Sequence, residues 1–355
     1  MPNRKKLNQY IDKIYDSKWL TNNGPLVRDF THRLKKHLGV KNLLLVANGT
    51  LALQIAYKTL NISGKVITTP FSFVATTSSL IWEGLTPHYV DINSETLCLD
   101  ETQIENSILK NTVAILGVHV FGNSCNINDI SRIASAHDLK VIYDGAHSFG
   151  INYGGKSILE YGDASTLSFH ATKLFHSIEG GAIIFKNETL LKKAQQMINF
   201  GYDRGEIKSV GINAKMNEFQ AAMGLCVLDE MDTILIERKG IWENYENKLK
   251  DHFQLQNWQS DNKNYSYFPI IFESEKKLLS AKNKLNDLGI FSRRYFHPSL
   301  NTLIYNNSQN FCQKSETISK RILCLPIFCG LPKNIQDLIT TVCCRANSSN
   351  VNRFF

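Results

Sequence analysis

Residues 42–60 read NLLLVANGTLALQIAYKTL, and the fold turns on how that stretch divides. The first part is a short, unbroken apolar run. The second repeats apolar residues at helical spacing, with Leu51, Ala52, Ile55, Ala56 and Leu60 on one side. A buried strand over 42–48 that passes through Asn48-Gly49-Thr50 into a helix over 50–60 accounts for both. The alternation continues downstream. Candidate strands fall at 65–70, 87–90, 112–119, 139–144, 165–170 and 181–185, and INDISRIASAHD (127–138) is a further candidate helix. Strands rich in Val and Ile on both faces, interleaved with helices, predict an α/β fold with a mostly parallel sheet covered on both sides.

From residue 218 the pattern changes. Residues 218–253 read as one long helical stretch with charges on one face, leading to a strand over 266–272 and a helix over 274–289. This predicts a large domain over 20–235 and a smaller α/β domain made of 1–19 and 236–355. The polar tail CCRANSSNVNRFF (343–355) is expected to fray.

The 355 residues are 43% hydrophobic and 20% charged, the balance of a globular protein. No run approaches the roughly 18 apolar residues that span a bilayer. The start, MPNRKKLNQYIDKIYDSKW, carries basic residues but no apolar signal core, so a cytoplasmic location is expected, with no membrane partner. None of the eight cysteines forms a CxxC pair or has zinc spacing, so free and mostly buried thiols are expected, and no metal. The net charge of +8 is scattered rather than gathered into a basic arm, which argues against nucleic acid. A phosphate-bearing small ligand needs only a few fixed cations.

Ligands in open α/β sheets lie beyond the carboxyl ends of the strands. The first candidate strand delivers Asn48-Gly49-Thr50, which is either an ordinary helix cap or an open helix N-terminus that cradles a phosphate. The strand LKVIYD delivers Asp144, whose buried carboxylate needs a cation, a metal or a protonated ring nitrogen. His147 follows as a cavity residue or a satisfied core histidine. STLSFHATKLFHSIEGG (165–181) sets Lys173 in the loop beyond its strand, where it is either an exposed, inert ammonium or a nucleophile activated by its neighbours. A phosphate cradle, a buried carboxylate and a loop lysine on one sheet edge are the parts that hold pyridoxal phosphate (PLP). The lysine bonds the cofactor and the carboxylate keeps its ring nitrogen protonated.

These residues sit in a set of motifs that resembles the DegT/StrS-type nucleotide-sugar aminotransferases, which use the aspartate-aminotransferase fold (fold type I). The set is GPLVRDF (24–30), ANGTLAL (47–53), TTPFSFVAT (68–76), VHVFGNSCNI (118–127), VIYDGAHSFG (141–150), GDASTLSFHATK (162–173), EGGAI (179–183), GINAKMNEFQAAMG (211–224) and LCLPIF (323–328). The resemblance implies that Lys173 carries PLP and moves the proton, with the pyridoxamine form between half-reactions. It implies that Asp144 meets the ring nitrogen, His147 lies near the ring oxygen, and Phe73 stacks on the ring. Gly49, Thr50 and Ser168 would bind the phosphate, and Asn213 would reach it from the neighbouring subunit of a homodimer with shared sites. Two departures stand out. Asp144-Gly145-Ala146 replaces the usual Asp-Ala-Ala, and Asn213-Ala214-Lys215-Met216 replaces Asn-Tyr-Arg-Met, which removes an arginine fork that lysine cannot reproduce.

The family acts on keto sugars linked to a nucleoside diphosphate, with L-glutamate as the usual amino donor. Ser168-Phe169-His170 before the lysine resembles members that aminate sugar carbon 4, and the whole pattern looks most like those that make dTDP-4-amino-4,6-dideoxyglucose for surface polysaccharides of O-antigen type. The alternatives are a 3-keto sugar aminotransferase of the same family and a non-catalytic regulator, the latter disfavoured by Lys173. The resemblance also places Trp19, Asn22, His170, Lys215, Arg294 and His297 among the substrate contacts. Of the adjacent Arg293 and Arg294, both could meet a diphosphate, or one could be a solvated surface residue.

Overall fold

The computed structural model describes residues 2–305 and 311–348. Helices α1 (Arg4–Ser17) and α2 (Pro25–Leu38) precede β1 (Leu43–Val46), α3 (Gly49–Thr59), β2 (Lys65–Thr68), α4 (Val74–Trp82) and β3 (Thr86–Tyr89). Next come β4 (Thr112–Val118), α5 (Ile127–Ala136), β5 (Lys140–Asp144) and a small hairpin, β6 (Asn152–Tyr153) with β7 (Lys156–Ser157). Strands β8 (Ala164–Ser168) and β9 (Gly181–Phe185), helix α6 (Glu188–Met197) and the hairpin β10 (Tyr202–Asp203) with β11 (Glu206–Ile207) lead to α7 (Glu218–Leu228) and α8 (Met231–Leu249). The described chain closes with β12 (Phe268–Ile271), α9 (Glu275–Asp287), α10 (Gln313–Arg321), β13 (Ile322–Leu325) and α11 (Lys333–Asn347).

The seven strands expected between residues 42 and 185 form one sheet in the order β1-β9-β8-β5-β4-β2-β3. Five of them, β3, β2, β4, β5 and β8, pair in parallel, and β9 runs antiparallel between β8 and β1. Alternate residues feed opposite faces. Leu43, Leu45, Ile67, Ile115, Val141 and Leu167 join the core beneath α1, α2 and α7, whereas Leu44, Val46, Val66, Leu116, Ile142 and Ile183 pack with α3 and α6. The mostly parallel, doubly covered sheet is thus as expected. Its topology sends the carboxyl ends of β1, β2, β4, β5 and β8 to one edge.

Outside the central sheet the fold departs from the expectation in four respects. Residues 218–253 are two helices with a break at Asp229-Glu230, not one. Side chains from the chain start hold that break: the Asp229 carboxylate accepts the Tyr10 hydroxyl at 3.0 Å and pairs with Arg33 and Lys6, and Glu230 accepts the Asn3 amide. Helix α7 is also buried almost throughout rather than charged along one face. Residues 1–19, expected with the smaller domain, instead lie against the sheet side, because Tyr10 and Ile14 of α1 enter the same core as β1 and α7. Finally, α11 continues to Asn347 with Cys343 buried, so the expected fraying does not begin at 343. The remainder of that tail, 349–355, lies outside the described residues.

A separate core of Trp242, Tyr245, Phe268, Phe272, Leu285 and Ile339 forms where α8, α9 and α11 pack on the β12–β13 pair. Glu218 locks two helices together. Fully buried at the start of α7, its carboxylate accepts the Leu26 and Val27 amides at 2.7 and 2.9 Å and closes the N-terminus of α2. All eight cysteines are free thiols, buried except Cys329 and the half-buried Cys344. Among the described residues no helix is long and apolar enough to cross a membrane.

Candidate active site

Strand β5 ends on Asp144, which is 7% exposed. One carboxylate oxygen accepts the Thr76 hydroxyl at 2.8 Å and the other accepts the Ala146 amide at 3.1 Å. Ser72 extends this chain, 2.6 Å from Thr76 Oγ1. Both hydrogen-bond partners of the carboxylate are neutral, which leaves it able to pair with a ligand's cation.

Beyond β8 the chain turns back on itself. The Phe169 amide donates to Gly180, Ala171 to Ile178 and Ser177 to Phe169, at 2.7–2.9 Å. Rings fix this loop from below, with Phe175 5.0 Å from Phe169 and 4.3 Å from Phe149. The loop holds Lys173 half-buried. Burial pushes its ammonium down to about 8, Asp144 opposes that fall, and the Arg293 charge adds to it. The exposed, inert reading of Lys173 therefore does not apply.

At the end of β1 the turn is a helix cap whose geometry is also compatible with a phosphate. The Asn48 side chain accepts the Leu51 amide at 2.9 Å and caps α3. The amides of Gly49 and Thr50, in the first turn, have no helical carbonyl to meet. A Cβ at position 49 would stand 2.8 Å from Ser168 Cβ, so only glycine lets β8 and the helix end approach this closely. Amides and the Ser168 hydroxyl converge there, the chemistry of an anion cradle.

His147 is buried and neutral: desolvation holds its imidazole well below the usual value, and the Lys173 charge adds to this. Its Nδ1 accepts the Phe121 amide at 3.2 Å, which leaves the ring proton on Nε2. Phe73, at the start of α4, keeps its ring half-exposed. His170 is turned toward Thr172 and Glu179, with Nδ1 2.8 Å from Thr172 Oγ1 and Nε2 3.5 Å from Glu179.

One cavity of about 850 Å³ brings together Gly49, Thr50, Phe73, Asp144, His147, Ser168, His170 and Lys173. The other expected contacts lie elsewhere. Asn22 and Lys215 line a different cavity of about 560 Å³ between α2 and α6. Asn213 bridges to Asn199 beside the β10–β11 hairpin, and Trp19 lies under the Arg28 guanidinium at 5.9 Å. Arg294 pairs with Glu275 at 2.6 Å and caps the Lys320 carbonyl, while its neighbour Arg293 lines the Lys173 cavity and donates to the Tyr295 hydroxyl. His297 is exposed and outside this cavity. Thr76, the partner of Asp144, escaped the sequence analysis. It lies inside the quoted TTPFSFVAT stretch, but nothing local marks a hydroxyl whose partner is 68 residues away.

These residues fit pyridoxal phosphate. A buried carboxylate with only neutral partners suits a protonated ring nitrogen, and the glycine-tight helix end suits a phosphate. A lysine amine brought near neutral pH suits a covalent bond to the cofactor's carbonyl carbon.

The family model of the DegT/DnrJ/EryC1/StrS aminotransferase family matches residues 2–343. A dTDP-4-amino-4,6-dideoxy-D-glucose transaminase of Shigella dysenteriae is 40% identical over 342 residues, covering 94% of this chain and 93% of that protein. A protein of the same description from Escherichia coli is 36% identical over 352 residues, 96% of this chain and 95% of its own. The crystal structure of DesI in the presence of its TDP-sugar product matches with a TM-score of 0.90 at 29% identity, covering 98% of this chain and 92% of that one.

Proposed function

The chain belongs to the DegT/DnrJ/EryC1/StrS aminotransferase family and is a PLP-dependent sugar aminotransferase, and from that premise we propose its reaction. It transfers an amino group from L-glutamate to carbon 4 of a nucleoside-diphosphate-linked 4-keto-6-deoxy sugar. The product is dTDP-4-amino-4,6-dideoxyglucose, destined for a surface polysaccharide of O-antigen type. The enzyme works in the cytoplasm as a homodimer with shared sites, and each chain divides into two domains near residue 235. The observation that carries the reading is the half-buried amine of Lys173 sharing a cavity with Asp144 and the Gly49-Thr50 helix end.

When bound, PLP supplies an electron-poor ring that stabilises negative charge on an adjacent carbon. The protein does the rest. Asp144, oriented by Thr76 and the Ala146 amide, would keep the ring nitrogen protonated. The Gly49 and Thr50 amides and the Ser168 hydroxyl would bind the phosphate, and Phe73 would cover a ring face. His147, with its proton on Nε2, would donate to the ring oxygen. Lys173 Nζ takes the proton from the glutamate α-carbon in one half-reaction and delivers one to sugar carbon 4 in the other. The shift of its amine toward neutral pH suits both directions.

Of the two adjacent arginines we assign the diphosphate to Arg293, because Arg294 is committed to Glu275. We assign Trp19, Asn22, Asn213 and Lys215 to the partner subunit's site, a reading supported by their separation from the Lys173 cavity of their own chain. His170 remains the sugar-side residue. The test is incubation with glutamate and, separately, dTDP-4-keto-6-deoxyglucose and its 3-keto isomer, with the amine located by NMR. Amination of the 4-keto sugar is expected. Turnover of the 3-keto isomer alone would refute the carbon 4 assignment.

A further inference from the structure

We infer that Asn264 is a positioning residue for His147, acting from the segment that joins α8 to β12; the inference rests on the reading of His147 as a contact to the cofactor ring. Asn264 is 2% exposed and makes four hydrogen bonds. Its Nδ2 donates to the His147 carbonyl at 2.8 Å and to the Phe149 carbonyl at 2.9 Å. Its Oδ1 accepts the Ser266 amide at 3.2 Å and the Ser266 hydroxyl at 2.7 Å. The Ser266 amide can only donate, so it fixes which end of the side-chain amide is oxygen and leaves both N–H bonds for the loop after Asp144.

His147 is thereby held at several points. Asn264 fixes its backbone, the Phe121 amide fixes Nδ1, and rings contact its faces and edges. Tyr267 lies 4.4 Å away and Phe296 5.7 Å, the latter nearly parallel at 9°. Three of these contacts, Asn264, Tyr267 and Phe296, come from beyond residue 250, whereas His147 follows the sheet strand β5. The close approach also needs Gly122, at φ +95°. A Cβ there would stand 2.9 Å from the His147 carbonyl and 3.3 Å from Asn264 Oδ1. Because Nδ1 is taken by Phe121, the direction of the Nε2–H bond depends on where the backbone holds the ring. Loss of the Asn264 clamp leaves two buried carbonyls without a donor and lets that bond swing away from its target.

The test is a double-mutant cycle. PLP dissociation constants are measured by spectral titration of the full-length chain and of Asn264→Ala and Asn264→Asp, each in the parent and in a His147→Gln background. The bound-cofactor absorbance maximum is recorded alongside. Asn264→Asp keeps the side-chain volume and the acceptor for Ser266 but removes the two donors. In the parent, either substitution is expected to weaken PLP binding about ten-fold and to move the absorbance maximum, the scale of a second-layer partner. In the His147→Gln background the same substitutions are expected to cost less than about two-fold, since their effect passes through the imidazole. Equal losses in both backgrounds, or no loss in the parent, would overturn the inference. So would failure of both variants to fold, which would make Asn264 a stability residue.

Discussion

Lys173 should react as a nearly neutral amine, and its two charged neighbours should move it in opposite directions. Burial brings the amine to about 8 from an ordinary 10.5. At pH 7 about one amine in ten is then neutral, against roughly one in three thousand for an unperturbed lysine, a gain of about 300-fold in reactive form. The sign follows from the cause. A lysine whose proton is destabilised by burial gains reactivity as pH rises through the lowered value, and the gain saturates above it. The assay is brief acylation of the PLP-free chain across pH 6–10, with the Lys173 peptide quantified by mass spectrometry against exposed Lys5 as internal reference. The Lys173 curve should reach half-height near pH 8. Asp144→Asn removes the charge that favours the ammonium and should move the curve to lower pH, and Arg293→Ala should move it to higher pH. A Lys173 curve that superimposes on that of Lys5, or shifts of the same sign in both variants, would refute the reasoning.

Gly49→Ala forces a Cβ to 2.8 Å from Ser168 Cβ, a contact with a strand residue that cannot swing aside. The helix end must retreat, at a cost of about 1–3 kcal/mol of overpacking, and phosphate-dependent PLP affinity should fall by about ten-fold or more in a spectral titration. Asp144→Asn keeps an acceptor for the Thr76 hydroxyl but removes the charge assigned above to the ring nitrogen, so kcat should drop by at least about a hundred-fold in the transamination assay. Glu218→Ala strips the carboxylate from two buried amides at the start of α2 and should cost about 2–4 kcal/mol in denaturant unfolding, with no direct contact to the Lys173 cavity.

The central sheet was legible because its signal is local. Most of the strands are short apolar runs, and all seven appear within about two residues of their expected ends. Asp144, Lys173 and Gly49 were legible for a related reason: each stands at or just beyond a strand end, where ligands of such sheets bind. What stayed hidden depends on partners far away in sequence. Nothing beside Glu218 announces that its carboxylate serves amides 191 and 192 residues earlier. Nothing beside Asn264 points to carbonyls at 147 and 149. The break at Asp229-Glu230 was missed because Asp229, an ordinary helix residue by local pattern, is claimed by Tyr10, Lys6 and Arg33. Arg293 and Arg294 look equivalent in sequence and are separated only by where Glu275 and Tyr295 stand.

Borohydride reduction of the PLP-loaded chain, followed by peptide mapping, tests the central claim most directly, because it locks the cofactor onto whichever lysine holds it. The expected result is the added cofactor mass on the Lys173 peptide and its loss in Lys173→Ala. The added mass on another lysine, such as Lys215, or on none while the chain still transfers amino groups, would contradict the assignment of Lys173.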